Sequence, residues 1–280
     1  MWDVSESTIK RWTDAGLLRC RKTIGGHRKF ELEDILEFQS HCELGIKGLT
    51  AEKGCAEVDC ELDYLLAKPD FLELSERFKR AALAAHNDLT SSLLDQYHRH
   101  GLTLATIAEE IIGPAMHDIG EMWRSGKIGV IDEHLATMAT AQALADLSSK
   151  TEKKENANRL AIVGCAEGEL HQLAASLVRD LLESQGWQVV YLGQHTPLFS
   201  FAEAVTRLKP TLVCISITMT DNLERAARDY EGLRRSASKH GARIVMGGSA
   251  LKDEKVRARF RGAVYAATLH DLLTMLTGDN

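Results

Sequence analysis

The sequence predicts a multidomain protein with a small basic N-terminal module, a four-helix bundle, and a C-terminal α/β Rossmann-like (flavodoxin-like) parallel sheet. Basic residues cluster near the start in RCRKTIGGHRKF. Apolar residues then recur at helical spacing from Phe71 to about Ser149, and from Arg159 onward short β-rich runs alternate with amphipathic helices.

The totals allow this organisation. At 280 residues, with 44% hydrophobic and 26% charged, the chain has the composition of a globular protein with room for two or three domains. A net charge of −6 argues against indiscriminate nucleic-acid binding, although a local basic face can still dock on phosphates. The six cysteines, Cys20, Cys42, Cys55, Cys60, Cys165 and Cys214, form no C-x-x-C pair, so neither a disulfide framework nor a zinc finger is expected. With no signal peptide and no bilayer-length apolar run, the expectation is a cytoplasmic protein without membrane contact.

Taken in order, residues 1–45 form the basic module. In Ser7-Thr8-Ile9-Lys10-Arg11-Trp12, Ser5 or Ser7 can cap a short helix that exposes Thr8, Lys10 and Arg11 and turns Ile9 and Trp12 inward. Gly25-Gly26 permits a tight hairpin flanked by Arg21, Lys22, His27, Arg28 and Lys29, residue types that contact phosphates. Residues 46–70 mix glycine, cysteine and acidic side chains without periodicity and read as a linker.

Residues 71–150 carry four amphipathic patterns, FLELSERFKRAAL, LTSSLLDQYHRHG, LATIAEEIIGPAMHDIGEMW and HLATMATAQALADL, which make a bundle. Gly113-Pro114 should kink or break the third, because proline lacks the amide donor. After the polar stretch SSKTEKKENANR, residues 157–280 supply five strand-like runs, RLAIVGCA, WQVVYLG, TLVCISIT, RIVMGG and GAVYAA, joined by helices. Such units give a parallel sheet, with ligands at the carboxyl ends of its strands.

The loop after the first strand reads GCAEGELHQLA and places Glu169 and His171 at that edge. It lacks G-x-G-x-x-G, which excludes the usual dinucleotide site. An imidazole two residues from a carboxylate suits metal ligation, because the second ring nitrogen must donate to a fixed acceptor, here Glu169.

This loop resembles the D-x-H-x-x-G motif of the cobalamin-binding domains shared by methionine synthase, the mutases and the cobalamin-dependent regulators. The chain supplies Glu169-Leu170-His171-Gln172-Leu173-Ala174, then Ser216-Ile217-Thr218 where the family has S-x-L, then Gly247-Gly248. The departures are Glu for Asp, Ala174 for the last glycine and Thr218 for leucine. The resemblance implies that His171 is the lower axial ligand of cobalt in place of dimethylbenzimidazole. It also implies that the nucleotide tail threads into the sheet beside Ser216, Gly247 and Gly248.

In the bundle, MWRSGKIGVIDEHLAT has a W-x9-E-H spacing, Trp123 to Glu133-His134, that is similar to the CarH/LitR cobalamin-dependent photoreceptor regulators. That likeness implies Trp123 over the upper face of adenosylcobalamin, with Glu133 and His134 shaping the pocket; methyl- and hydroxocobalamin are alternatives. The family's histidine after the tryptophan, which captures cobalt after illumination, is Arg124 here, a side chain without a free lone pair.

The N-terminal module resembles the winged helix-turn-helix of MerR-like regulators, in which the helix with Thr8, Lys10 and Arg11 enters the groove of operator DNA. The first helix of that family is expected to be missing, since only Met1-Trp2-Asp3 precede Val4. Together these resemblances imply a cobalamin-dependent transcriptional regulator, not an enzyme, that assembles as a dimer or tetramer on double-stranded DNA. The alternatives are a cobalamin-binding antirepressor acting on a protein partner and a corrinoid methyl-carrier protein.

Overall fold

The computed structural model describes residues 6–22, 28–31, 34, 38, 62, 65–66, 69–151 and 159–277. They fall into two compact units, Met1–Leu74 and Ser75–Asn280.

In the first unit, helix α1 (Glu6–Asp14) is followed by a two-stranded antiparallel ribbon, β1 (Arg21–Lys22) and β2 (Arg28–Lys29), with Arg21 opposite Lys29 and Lys22 opposite Arg28. Trp12, Leu18 and Phe38 are its buried core, with Ile9 and Phe30 packed against them. Ile9 and Trp12 do turn inward, three positions apart on one helix face. The capping expectation changes, because Ser7 lies inside the helix and Ser5 is outside the described residues.

The second unit contains the bundle and the sheet. Helices α2 (Phe71–Leu83) and α3 (Asn87–Arg99) precede a long helix that starts at Leu104–Thr106 (α4), widens into a π-helical segment over Ile107–Ile112, and continues as α5 (Gly113–Arg124); α6 (Val130–Lys150) completes the bundle. Phe78, Leu94, Tyr97, Ile111, Ile119 and Ala143 are fully buried in it.

Gly113-Pro114 does not break the helix. The Gly113 amide reaches back five residues to Ala108 O, and Gly113 keeps a right-handed helical conformation. The wider turn ahead of Pro114 accommodates the residue that cannot donate, a common place for a π-bulge.

The sheet has β3 (Leu160–Ala166), β4 (Gln188–Thr196), β5 (Leu212–Ser216), β6 (Arg243–Gly247) and β7 (Val264–Tyr265), all parallel in the order β4-β3-β5-β6-β7. Helices α7 (Leu173–Ser184), α8 (Leu198–Leu208), α9 (Leu223–His240), α10 (Glu254–Arg257) and α11 (Leu269–Thr277) follow the strands. One core layer joins Phe201, Val205, Tyr230 and Leu233 to Ile162 and Val213; the other joins Leu181, Leu182 and Leu272 to Val163 and Cys214. Both faces of the central strands are therefore covered, which explains their near-continuous apolar runs.

Chain order reverses between β3 and β5, since β4 lies on one side of β3 and β5 on the other. The carboxyl edge at such a switch point is the place where sheets of this topology take ligands. The bundle is tied to the sheet domain by Glu109, which accepts hydrogen bonds from the His270 amide (3.1 Å) and Nδ1 (2.6 Å) and from the Leu269 amide. No helix of the described residues is long and apolar enough to cross a membrane.

Candidate cobalamin site and DNA-binding module

At the carboxyl edge, β3 ends in a turn closed by Glu169 N–H donating to Ala166 O at 3.0 Å. Gly168 adopts φ +83°, and a Cβ there would fall 2.0 Å from Asn222 Nδ2, so only glycine fits. The turn buries the Glu169 side chain to 1% exposure while leaving the His171 side chain 64% exposed.

Glu169 is fully engaged. Its Oε1 accepts from the His171 amide at 2.8 Å and His171 Nδ1 at 2.7 Å; its Oε2 accepts from the amides of Thr218 at 2.5 Å and Met219 at 2.8 Å. Burial raises the carboxyl pKa, but the bonds from His171, Met219 and Thr218 outweigh it and hold the group below the usual carboxylate range. A carboxylate in this position can only accept, so His171 Nδ1 carries a proton and Nε2 is the ring nitrogen left without a protein partner, the one that can serve a ligand in the neutral ring. That is the tautomer a metal ligand needs.

Ser216, at the end of β5, is 8% exposed, and its Oγ is buried without a hydrogen-bond partner among the described residues. A stranded hydroxyl at the end of a switch-point strand fits a bound molecule that supplies the missing partner. The donor set therefore fits a cobalt corrinoid with one protein imidazole. No cluster of three or more metal-ligating side chains exists among the described residues.

Two sequence expectations take a different physical form. Thr218 contributes its amide to Glu169. Gly248, expected to make room for a ligand, is required by the protein itself: its φ is +110°, and a Cβ would lie 2.3 Å from Ile217 O. Gly247 is similarly tight, 3.0 Å from Ala266 O.

On the bundle, Trp123 is 50% exposed and His134 donates from Nδ1 to Glu133 at 2.6 Å. Thr137 donates to the other Glu133 oxygen at 2.9 Å, fixing the carboxylate. Arg124 is exposed and paired with Glu121.

Helix α6 has two apolar faces. Ala136, Ala139, Ala143 and Leu147 pack inward, whereas Ile131, Leu135 and Met138, spaced i, i+4, i+7, are exposed, as is Val130. Trp123 is a further exposed apolar side chain of the bundle, and exposed apolar groups gathered along one helix face are of the kind that marks a binding site. The pattern VIDEHLATM carried the signal, but a single-stripe reading of the helix passes over it. On the sheet edge, Leu170 and Met219 are exposed apolar groups, and Met219 was likewise missed.

In the N-terminal module the basic groups are unequally available. Lys10, Arg21, Lys22 and Lys29 are exposed, while Thr8 and Arg11 are half-buried, which corrects the expectation that both stand open. Arg28 is also drawn in, donating to Asp14 at 2.5 Å, with Lys22 3.8 Å from the same carboxylate. Asp14 thus ties the ribbon to α1, its carboxyl held below the ordinary range chiefly by the hydrogen bond from Arg28. His27 lies outside the described residues.

Comparison with known proteins agrees with this geometry. A B12 binding domain model matches residues 159–270, a second B12 binding domain model matches residues 74–147, and a helix-turn-helix domain model matches residues 1–42. The HTH-type transcriptional repressor CarH of Myxococcus xanthus is 24% identical over 262 residues, 88% of this chain and 85% of the repressor. The order of these matches, a helix-turn-helix domain followed by two B12 binding domains, runs through the 88% of the chain that is similar to that repressor.

The trimethylamine corrinoid protein of Methanosarcina barkeri is 22% identical over 185 residues, covering 65% of this chain and 85% of the corrinoid protein. The structure of the Methanosarcina barkeri monomethylamine corrinoid protein superposes with a TM-score of 0.63 at 20% identity, covering 74% of this chain and 99% of that one. That likeness shows the shared fold. This chain differs by carrying the matched helix-turn-helix domain ahead of the bundle.

Proposed function

We propose that the protein is a cobalamin-dependent transcriptional regulator that senses light or cobalamin state through adenosylcobalamin and couples it to oligomerisation and binding of operator DNA. The Glu169–His171 pair carries this reading, since it holds an exposed imidazole with Nε2 free on an α/β sheet edge. The N-terminal match to a helix-turn-helix domain supplies the output.

In this reading residues 1–45 bind DNA, 46–70 link, 71–150 cover the upper face of the corrinoid and 157–280 hold it from below. His171 is the lower ligand, held in the required tautomer by Glu169. Ser216 and the Gly247–Gly248 turn flank the nucleotide tail, and Leu170 and Thr218 border the His171 loop. When bound, the cofactor supplies a cobalt–carbon bond that light can cleave.

Trp123 and the exposed stripe of α6 exclude water from the upper face, as a flat aromatic over a nucleoside does. Arg124 offers no lone pair for cobalt, whereas His134 has Nδ1 committed to Glu133 and Nε2 open. His134 would be a candidate to hold cobalt from the bundle; the other readings are that light sensing is lost or is replaced by sensing of the cobalamin form itself. Methyl- and hydroxocobalamin are the other forms to test.

Lys10, Arg21, Lys22 and Lys29 supply phosphate contacts, Thr8, Arg11, Arg28 and the sequence-assigned His27 are further candidates, and pairing of modules in a dimer or tetramer multiplies a weak affinity. The test is binding to operator DNA across a salt series, with the adenosylcobalamin-loaded protein in the dark and after green light. Each phosphate neutralised contributes a slope near −0.9 in log affinity against log salt. Salt-dependent binding that changes on illumination supports the regulator; no binding at low salt overturns it.

The corrinoid methyl-carrier reading draws on the bundle-and-sheet likeness to the methylamine corrinoid proteins. It predicts methylcobalamin on the protein and no operator binding. An antirepressor predicts cobalamin binding and a protein partner, again without operator binding.

A further inference from the structure

A second histidine, His195, sits at the carboxyl edge beside the His171 loop. Strand β4 shifts register twice against β3, between Val163 and Gly164 and between Gly164 and Ala166, and Gly193 takes φ +79°. Such bulges re-aim a strand end. Here the end turns over the loop, with His195 itself in the left-handed region at φ +53°.

His195 binds the loop on both sides of Glu169. Its amide donates to Glu169 O at 3.0 Å, and its Nδ1 accepts the Gly168 amide at 2.9 Å. A backbone amide can only donate, so the ring is held as the Nε2–H tautomer. Asn222 closes the other side of Gly168. The turn that buries Glu169 and exposes His171 is thus clamped from β4 through a side-chain acceptor in a strained backbone position.

We infer that His195 is a positioning residue for the cobalt ligand: by accepting the Gly168 amide it holds the Glu169–His171 loop in the conformation that presents His171 Nε2. This rests on the reading of His171 as the lower ligand, and it concerns no atom of the cofactor. Asparagine should replace it, because Oδ1 can stand where Nδ1 stands and asparagine tolerates positive φ. Glycine relieves the backbone but removes the acceptor.

The experiment compares wild type, His195→Asn and His195→Gly by amide hydrogen exchange at Gly168 in the cofactor-free protein, and by the absorption spectrum after loading with hydroxocobalamin. Exchange at Gly168 should rise roughly tenfold or less in His195→Gly, the equivalent of one lost hydrogen bond, and return toward wild type in His195→Asn. The loaded His195→Gly protein should show a larger base-off fraction without histidine coordination, and His195→Asn should restore the His-on spectrum. Unchanged exchange and spectrum in His195→Gly, or an asparagine variant no better than the glycine one, overturns the inference. If wild type retains no cobalamin, the cofactor reading fails, while Gly168 exchange still decides whether His195 anchors the loop.

Discussion

Replacing Glu169 with glutamine changes one oxygen to an amide and should cost the protein more than any exposed substitution. The carboxylate accepts four hydrogen bonds, two on each oxygen, at 1% exposure. Glutamine keeps one acceptor oxygen, so whichever way it flips, its NH2 faces two donors. Turned toward the loop, that NH2 meets the His171 amide and the Nδ1 of an exposed ring that can change tautomer or turn to water, so one buried donor loses its acceptor, a destabilisation of about 1–3 kcal/mol near neutral pH.

The pH dependence carries a sign. Glu169 has a depressed folded pKa, so its contribution is present above the unfolded value and fades as pH falls through the folded one. The gap between wild type and Glu169→Gln should therefore narrow on acidification below the usual carboxylate range. Urea unfolding of both proteins at neutral and acidic pH reads this directly. A difference below about 0.5 kcal/mol at neutral pH, or one that widens in acid, refutes the hydrogen-bond count and with it the assignment of the His171 tautomer.

Three further outcomes follow from the same geometry. Gly248→Ala, which drives a Cβ against Ile217 O at 2.3 Å, should lower stability by about 2–4 kcal/mol in urea unfolding; a change under about 0.5 kcal/mol would contradict the backbone described. Ser216→Ala removes a hydroxyl without a described partner, so cofactor-free stability should hold or rise by about 1 kcal/mol while cobalamin retention after desalting falls. Burial pushes the Cys214 thiol up to about 12, and burial with the Glu169 charge does the same to Cys165, so native protein at pH 8 should alkylate at half-exposed Cys20 well before either.

Much of the fold is legible in the sequence because its strands are buried on both faces. TLVCISIT and RIVMGG are short apolar runs bounded by turn residues, and each became a central parallel strand. The Glu169–His171 pair was equally legible, since two residues of spacing already bring the groups together. What escaped was longer in range or depended on three-dimensional availability. Thr218 and Met219 reach Glu169 through their amides, which no side-chain pattern encodes. His195 arrives over Gly168 only because β4 bulges. Arg28 looks free in RKTIGGHRKF but is 21% exposed and held by Asp14, a partner fourteen positions earlier. Gly113-Pro114 reads as a kink or a break, and a π turn lets the helix continue without the break.

The central claim is a cobalamin held by His171, and the absorption spectrum of the desalted protein after mixing with adenosylcobalamin in the dark, beside His171→Ala, tests it most directly. The account predicts retained cobalamin with a base-off, His-on spectrum in wild type, lost in the variant, and the spectrum after green light then reports whether photochemistry operates beside Arg124. Failure of wild type to retain the adenosyl, methyl or hydroxo form would contradict it.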